Sequence, residues 1–240
     1  GRARYLLNIQ DIFPQNAIDA GIIRNKLIIR WFEYLEHRAY AEADALTTHT
    51  DGGREFLIQK KSVPAEKVST VYNWIDVYPF QEAQTTGKFR QQYGLEGKFI
   101  FLFAGIFGLT QGLDLVIEVA RRVADVPEVC FLFVGEGTEM AHLKGLVANS
   151  GLTNVHFQPF VTPKDYPALL QEVDVGLMCL APTNTTAVVP GKLLGYMAAG
   201  LPVIAVRSSG IDDVVQNGEN GFKTPADINK WRDKVVLLLT

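Results

Sequence analysis

The chain has 240 residues, 48% hydrophobic and 20% charged, with a formal net charge of -3, which is the make-up of a globular protein of one or two domains with a real core. No basic excess is present to track a phosphate backbone, so nucleic acid is excluded as a partner. No apolar run reaches the roughly 18 residues of a bilayer span and no signal-like stretch opens the chain, so the expectation is a cytoplasmic protein, at most peripheral at the inner membrane face.

In chain order, "ARYLLNIQDIF", "DALTTHT" and "KVSTVYN" read as strands. A long helix is expected from about Ile22 to Ala43 and a shorter one from about Asp51 to Lys60. Three strands are few for a self-sufficient sheet, and the N-terminal unit reads as incomplete. The long helix carries Ile22, Ile23, Leu27, Ile28, Trp31, Phe32 and Leu35, interspersed with Arg24, Lys26, Arg30 and Arg38. Such a stripe suits packing on a sheet, and a basic amphipathic helix with Trp and Phe can also lie in a membrane interface. Residues 72–80, "YNWIDVYPF", mix aromatics, Asn and Pro without period and read as a connection between domains 1–78 and 79–240.

From Lys98 onward, "KFIFLFAG", "EVCFLFVG", "NVHFQPF", "DVGLMCL", "LPVIAV" and "GFKT" alternate with amphipathic segments. Leu113, Val116, Ile117, Ala120 and Val123 make one apolar face at helical period. Strands that are apolar without alternation, joined by helices, indicate a parallel sheet covered on both faces. The fold class is α/β, doubly wound. Cys130 and Cys179 lie in two of the apolar runs without metal-ligand spacing and are expected to be buried free thiols.

In an open parallel sheet, ligands bind outside the carboxyl ends of the strands. Four loops there are unusual: "AGIFGLTQG", with Gly105, Gly108 and Gly112; "VGEGTE", with Gly135; "QPFVTPKD", with Pro159, Phe160 and Val161; and "APTNTTAVVPGK". A glycine loop at a helix N-terminus lets a phosphate approach backbone N–H groups. "GEGTEM" fails as a dinucleotide fingerprint, since Met140 stands where the third glycine belongs. Lys192 is a cation at the start of an apolar helix, where the dipole prefers an anion, and a bound anion accounts for it. Gly195, inside the same helix, costs about 1 kcal/mol against Ala; either something approaches the backbone there or a side chain has been lost.

Taken in order, "FAGIFGLTQGLDLVIEVARRV", "FLFVGEGTEMAHLKGLV", "VVPGKLLGYMAAGLPVIA" and "SSGIDDVVQNGENGF" resemble the nucleotide-sugar-binding domain of the group 1 retaining glycosyltransferases with the GT-B fold. Upstream, "IQDIFPQNA", "LEHRAYAEADALTTHTDGGREFL" and "EKVSTVYNWID" resemble the second half of that family's acceptor domain and its hinge, and the bacterial branch that builds capsule, colanic acid and O-antigen is the nearest in character. The resemblance implies a complete C-terminal Rossmann-like domain and half of an N-terminal one, a chain truncated at both ends, and a partner chain that could complete the N-terminal half. It also implies transfer of a sugar from a nucleotide diphosphate, a UDP-sugar for preference, with retention, to a lipid-linked or saccharide acceptor, with no metal or other cofactor.

By that resemblance, the Gly105–Gly112 loop, Gln111 and Lys192 face the diphosphate, Val188, Val189 and Pro190 lie near it or the sugar, and Gly135 with residues 159–161 borders the base. No catalytic residue is named. Ala187 and Gly195 stand where the family usually has two glutamates, the second of which holds the ribose, and Leu109 and Gln111 stand where the wider family has Arg and Lys. Two other readings compete: a non-catalytic subunit that binds no nucleotide, and a nucleotide-sugar epimerase, which would need an acid/base pair where the loops offer Glu136 and Glu139.

Overall fold

The apolar runs that read as strands all become strands, and a computed structural model, describing residues 3–181, 189–212 and 214–239, places them in two parallel sheets. The chain separates into two units: Gly1–Trp74 with Pro182–Val189 and Ser208–Val214, and Ile75–Ala181 with Pro190–Arg207 and Val215–Thr240.

The first unit contains β1 (Leu6–Ile9), α1 (Gln15–Asp19), α2 (Lys26–Glu42), β2 (Ala45–Thr48), α3 (Asp51–Lys61) and β3 (Val68–Thr70), with sheet order β1-β2-β3. Ile9, Leu46, Leu57 and Val68 form its core. The α3 helix opens where the Thr50 hydroxyl accepts from the Gly53 N–H at 2.8 Å, an N-cap that satisfies a donor the helix itself leaves over.

Two expectations for the long helix are corrected. It starts at Lys26 rather than Ile22, because the Asn25 side chain accepts from the N–H groups of Leu27 and Ile28 at 2.9 and 3.4 Å and fixes the entry. The apolar stripe does not pack on the sheet: Leu27, Ile28, Trp31 and Leu35 are exposed. The buried residues of α2 are Glu36 and Tyr40, with Glu36 accepting from Lys61 Nζ at 2.8 Å and from the Tyr40 hydroxyl at 2.9 Å. Three strands about 4.8 Å apart span only about 10 Å, one helix diameter, so a single face of α2 is covered. No helix among the described residues is long and apolar enough to cross a membrane.

The second unit contains α4 (Tyr78–Gln81), α5 (Lys88–Tyr93), β4 (Phe99–Ile106), α6 (Asp114–Arg122), β5 (Val129–Glu136), α7 (Met140–Asn149), β6 (Val155–Gln158), α8 (Tyr166–Leu170), β7 (Val175–Met178), α9 (Gly191–Ala198) and β8 (Val203–Val206). After α10 (Ser209–Asp212), which is counted with the first unit, come β9 (Gly221–Thr224) and α11 (Ile228–Leu237). Sheet order is β6-β5-β4-β7-β8-β9, with β4, β5, β7 and β8 buried on both faces. Phe101 stacks on Phe131 and Phe133 on Phe157, with centroids 5.3 and 5.1 Å apart, each pair in register across neighbouring strands on one face of the sheet.

Strand order reverses at β4. On one side β4 pairs with β5 all the way from Phe99↔Val129 to Ile106↔Glu136, while on the other it meets β7 only at Phe101↔Val175 and Leu102↔Gly176. Beyond Leu102 the two strands part, and the ladder groups of β4 on that side need other partners. Tyr196 of α9 supplies them: its hydroxyl accepts from the Ala104 N–H at 3.1 Å and donates to the Leu102 carbonyl at 3.3 Å. The ring lies against Gly176, where a Cβ would stand 2.4 Å from Tyr196 Cδ2.

Two outcomes follow from this packing. Gly176→Ala forces the fully buried Tyr196 ring off its seat and should destabilise the second unit by about 1–3 kcal/mol, the range for overpacking a tight core, as read by urea unfolding. Cys130 and Cys179 are buried free thiols whose pKa values burial pushes up to about 12. At pH 8 neither should react with iodoacetamide in the native protein, and both should react once it is unfolded, as mass spectrometry reports directly.

Candidate functional site

The reversal of strand order leaves a crevice at the carboxyl ends of β4 and β7, the usual place for a ligand in such a sheet. Gly105, near the end of β4, has φ +144. A Cβ there would stand 3.1 Å from Lys192 Nζ, and one on Gly135, φ +147, would stand 1.9 Å from the Gly105 carbonyl oxygen. At Gly105 the backbone conformation disfavours a side chain, and at Gly135 the Gly105 carbonyl leaves no room for one either. The two glycine-bearing turns are tied together: the Phe107 N–H donates to the Glu136 carbonyl at 2.7 Å, and the Glu139 N–H donates to the Phe107 carbonyl at 3.0 Å. Further on, the 3-10 turn Leu109–Gln111 ends at Gly112, and the Ala181 N–H donates to the Thr110 carbonyl at 2.8 Å.

The α9 helix opens at the crevice. Pro190 is its N-cap residue, φ -64 and ψ 139, one position before the helix proper, and Gly191 and Lys192 follow. The side chain of Lys192 is not simply out in water. Its Nζ donates to Gln111 Oε1 at 2.9 Å and sits 3.6 Å from the centroid of the Phe103 ring, a cation–π contact. Among the described residues no carboxylate pairs with it. Burial lowers its pKa to about 8, the direction that loss of solvation imposes on an ammonium.

Beside Lys192 lies a cavity of about 450 Å³, within the range of small-ligand sites, walled by Gly105, Val134, Phe160, Val161, Tyr166 and Lys192 among others. The lining is largely apolar with one cation and one phenol. Tyr166, the first residue of α8, packs edge-on to Phe80 with centroids 6.3 Å apart. It also covers Gly195: a Cβ at that position would stand 3.1 Å from Tyr166 Cε1 and 3.3 Å from its hydroxyl oxygen. Of the two readings for this glycine, close approach is thus directly visible. Burial raises the Tyr166 pKa, so the phenol is neutral.

The structure therefore gathers Gly105, Phe160, Val161 and Lys192 in one cavity wall, with Gln111 attached through Lys192 and Gly135 braced against Gly105. Gly108, Gly112, Pro159, Val189 and Pro190 do not line this cavity. Gly108 and Gly112 bracket the 3-10 turn, Pro159 is exposed in its loop, and Val189 is buried. Val188 and Ala187 lie outside the described residues. Leu109 is 63% exposed and brings no charge to the crevice. The sequence reading missed Tyr166, Phe103 and Val134; the signal for Tyr166 was the unexplained glycine at 195. Among the described residues no cluster of His, Cys, Asp and Glu is arranged to hold a metal ion.

Residues 98–240, more than half of the chain, match the family described as glycosyl transferases group 1. The chain is 35% identical over 204 residues to WcaI of Escherichia coli (strain K12), named as a colanic acid biosynthesis glycosyl transferase, across 82% of this chain and 50% of that protein. It is 24% identical over 232 residues to WbjE of Pseudomonas aeruginosa, named as a glycosyltransferase, across 92% of this chain and 56% of that one. The chain thus spans about half the length of the curated relatives it matches. Its fold superposes on that of HepE from Anabaena, solved with UDP-glucose, with TM-score 0.80 at 21% identity over 99% of this chain and 63% of the other. The expected α/β architecture of GT-B type is the one observed, and by the family match the chain belongs to the group 1 glycosyl transferases.

Proposed function

We propose that this chain carries the donor site of a glycosyltransferase that moves a sugar from a nucleotide diphosphate, with retention, to a lipid-linked or saccharide acceptor in bacterial surface polysaccharide synthesis at the inner membrane face. The observation that carries this reading is the position of Lys192, a cation at the mouth of α9, beside the cavity, with no carboxylate partner among the described residues. A diphosphate is the ligand such a position favours. Its oxygens can take charge-assisted bonds from Nζ and bonds from the first N–H groups of α9, where the dipole favours negative charge.

The same contacts serve chemistry. As the bond from the anomeric carbon to the diphosphate oxygen breaks, negative charge grows on the departing oxygens, and a cation held in a poorly solvated wall stabilises that growth more than it would in water. Gln111 holds Nζ toward the glycine loop without neutralising it. The apolar wall at Val134, Phe160 and Val161 suits the flat face of a base. The resemblance to WcaI supports a polysaccharide role, and UDP is the nucleotide to try first because the HepE structures of like fold contain it.

Calorimetric titration with UDP, GDP and ADP tests the reading. One of them should bind, and Lys192→Ala should weaken it by about tenfold or more, equivalent to about 1.4 kcal/mol at one contact. Binding should also fall with pH. The ammonium is charged below its pKa of about 8 and neutral above it, so affinity should drop up to about tenfold from pH 7 to pH 9 and proton uptake should accompany binding near pH 8. The Lys192→Ala variant should show neither effect. Absence of binding by all three nucleotides would move the chain to the non-catalytic reading.

A further inference from the structure

We propose that α2 docks this chain on an anionic bilayer surface, with Leu27, Trp31 and Tyr34 entering the interface and Lys26 and Arg30 meeting the lipid headgroups. This rests on the reading above for where the protein works, and goes beyond it by naming the surface that holds it there.

The direction of each side chain follows from the helix itself. At about 100° per residue, Leu27, Trp31 and Tyr34 point within about 40° of straight away from the core, whose side of the helix Glu36 and Tyr40 mark. Ile28 and Leu35 point to one flank. Exposure follows the same order, 76% for Leu27 and 56% for Trp31 and Tyr34, against 46% for Ile28 and 40% for Leu35. A further helix laid beside α2 on the same sheet face would cover that flank and leave the outward row bare. Trp31 lies against Phe32 with centroids 4.9 Å apart, and Phe32 meets Phe13 edge-on at 4.8 Å, so the outward indole stands on an aromatic base. Trp and Tyr beside an aliphatic residue on one face, with basic residues next to them, are the make-up of a helix that lies in the plane of a membrane interface.

Charge then selects the partner. Arg24, Lys26 and Arg30 gather at the opening of α2, and its first turn holds no acid. The helix dipole disfavours cations there, and among the described residues no carboxylate pairs with Lys26 or Arg30. The acids of α2 are engaged or turned elsewhere: Glu36 is buried on Lys61, Glu42 is paired with Arg38, and Glu33 lies about 120° round from Leu27. An anionic lipid surface offsets both the dipole and the mutual repulsion of the cations, whereas a second copy of the same face brings three more of them.

The test is flotation of the chain with vesicles of phosphatidylcholine alone and of phosphatidylcholine mixed with phosphatidylglycerol. The chain should bind the mixed vesicles about tenfold or more tightly than the neutral ones, since each basic residue near an anionic surface is worth about fivefold, and added salt should shrink the difference. Leu27→Ser combined with Trp31→Ser should abolish flotation. Lys26→Gln combined with Arg30→Gln should remove the preference for the mixed vesicles. Both variants should keep the circular dichroism and melting temperature of the wild type, because all four side chains are exposed. Flotation retained by the Leu27/Trp31 variant, or equal binding of the wild type to both kinds of vesicle, overturns the proposal. So does a concentration-dependent dimer in sedimentation that the Leu27/Trp31 variant removes, which would assign the face to a second copy of the chain. UDP should bind that variant as it binds the wild type; failure of nucleotide to bind either one overturns the donor-site reading and leaves the vesicle result standing.

Discussion

Everything at the crevice depends on how α9 is fastened to the sheet. Where β4 and β7 part, two backbone groups of β4 would face a dry interior without partners, a cost of about 1–3 kcal/mol each. The Tyr196 hydroxyl meets both, and the absence of a side chain at Gly176 leaves room for its ring. One residue thus satisfies the sheet and fixes the helix four positions beyond the cation. The crevice opens where the strands diverge, and Tyr196 bridges the divergence.

Lys192 is held by the face of Phe103 and by Gln111, and it passes beside Gly105, where a Cβ would stand 3.1 Å from Nζ. An ammonium in such a place lacks its full hydration, and nothing of opposite charge among the described residues makes up the loss. Structural lysines are normally left in water or paired. The arrangement is the one expected if the compensating charge arrives with a ligand, as the donor site proposed above supposes.

How much of this was legible in the sequence depends on whether the signal is local. The strands of the second sheet show as uninterrupted apolar runs such as "FIFLF" and "CFLFV" because a parallel sheet covered on both faces buries every residue. Lys192 and the glycine loop could be singled out because helix-mouth electrostatics is a matter of neighbours in the chain. Gly195 was conspicuous for the same reason, but its explanation lies in Tyr166, 29 positions earlier, and no period or spacing joins them. The apolar stripe of α2 misled in the opposite way. Periodicity identifies a face, and only the width of the neighbouring sheet decides whether that face is covered.

The depressed basicity of Lys192 also alters what the side chain is as a reagent. At pH 8 an ordinary lysine is unprotonated in only a few molecules per thousand, whereas an amine with a pKa of about 8 is free base in roughly half. Lys192 thus differs from a solvated lysine in carrying a share of free amine near neutrality, at the wall of a largely apolar cavity. A lysine whose proton is easily lost is a chemically addressable amine, and an anion bound beside it, as in the donor site proposed above, would hold that proton in place.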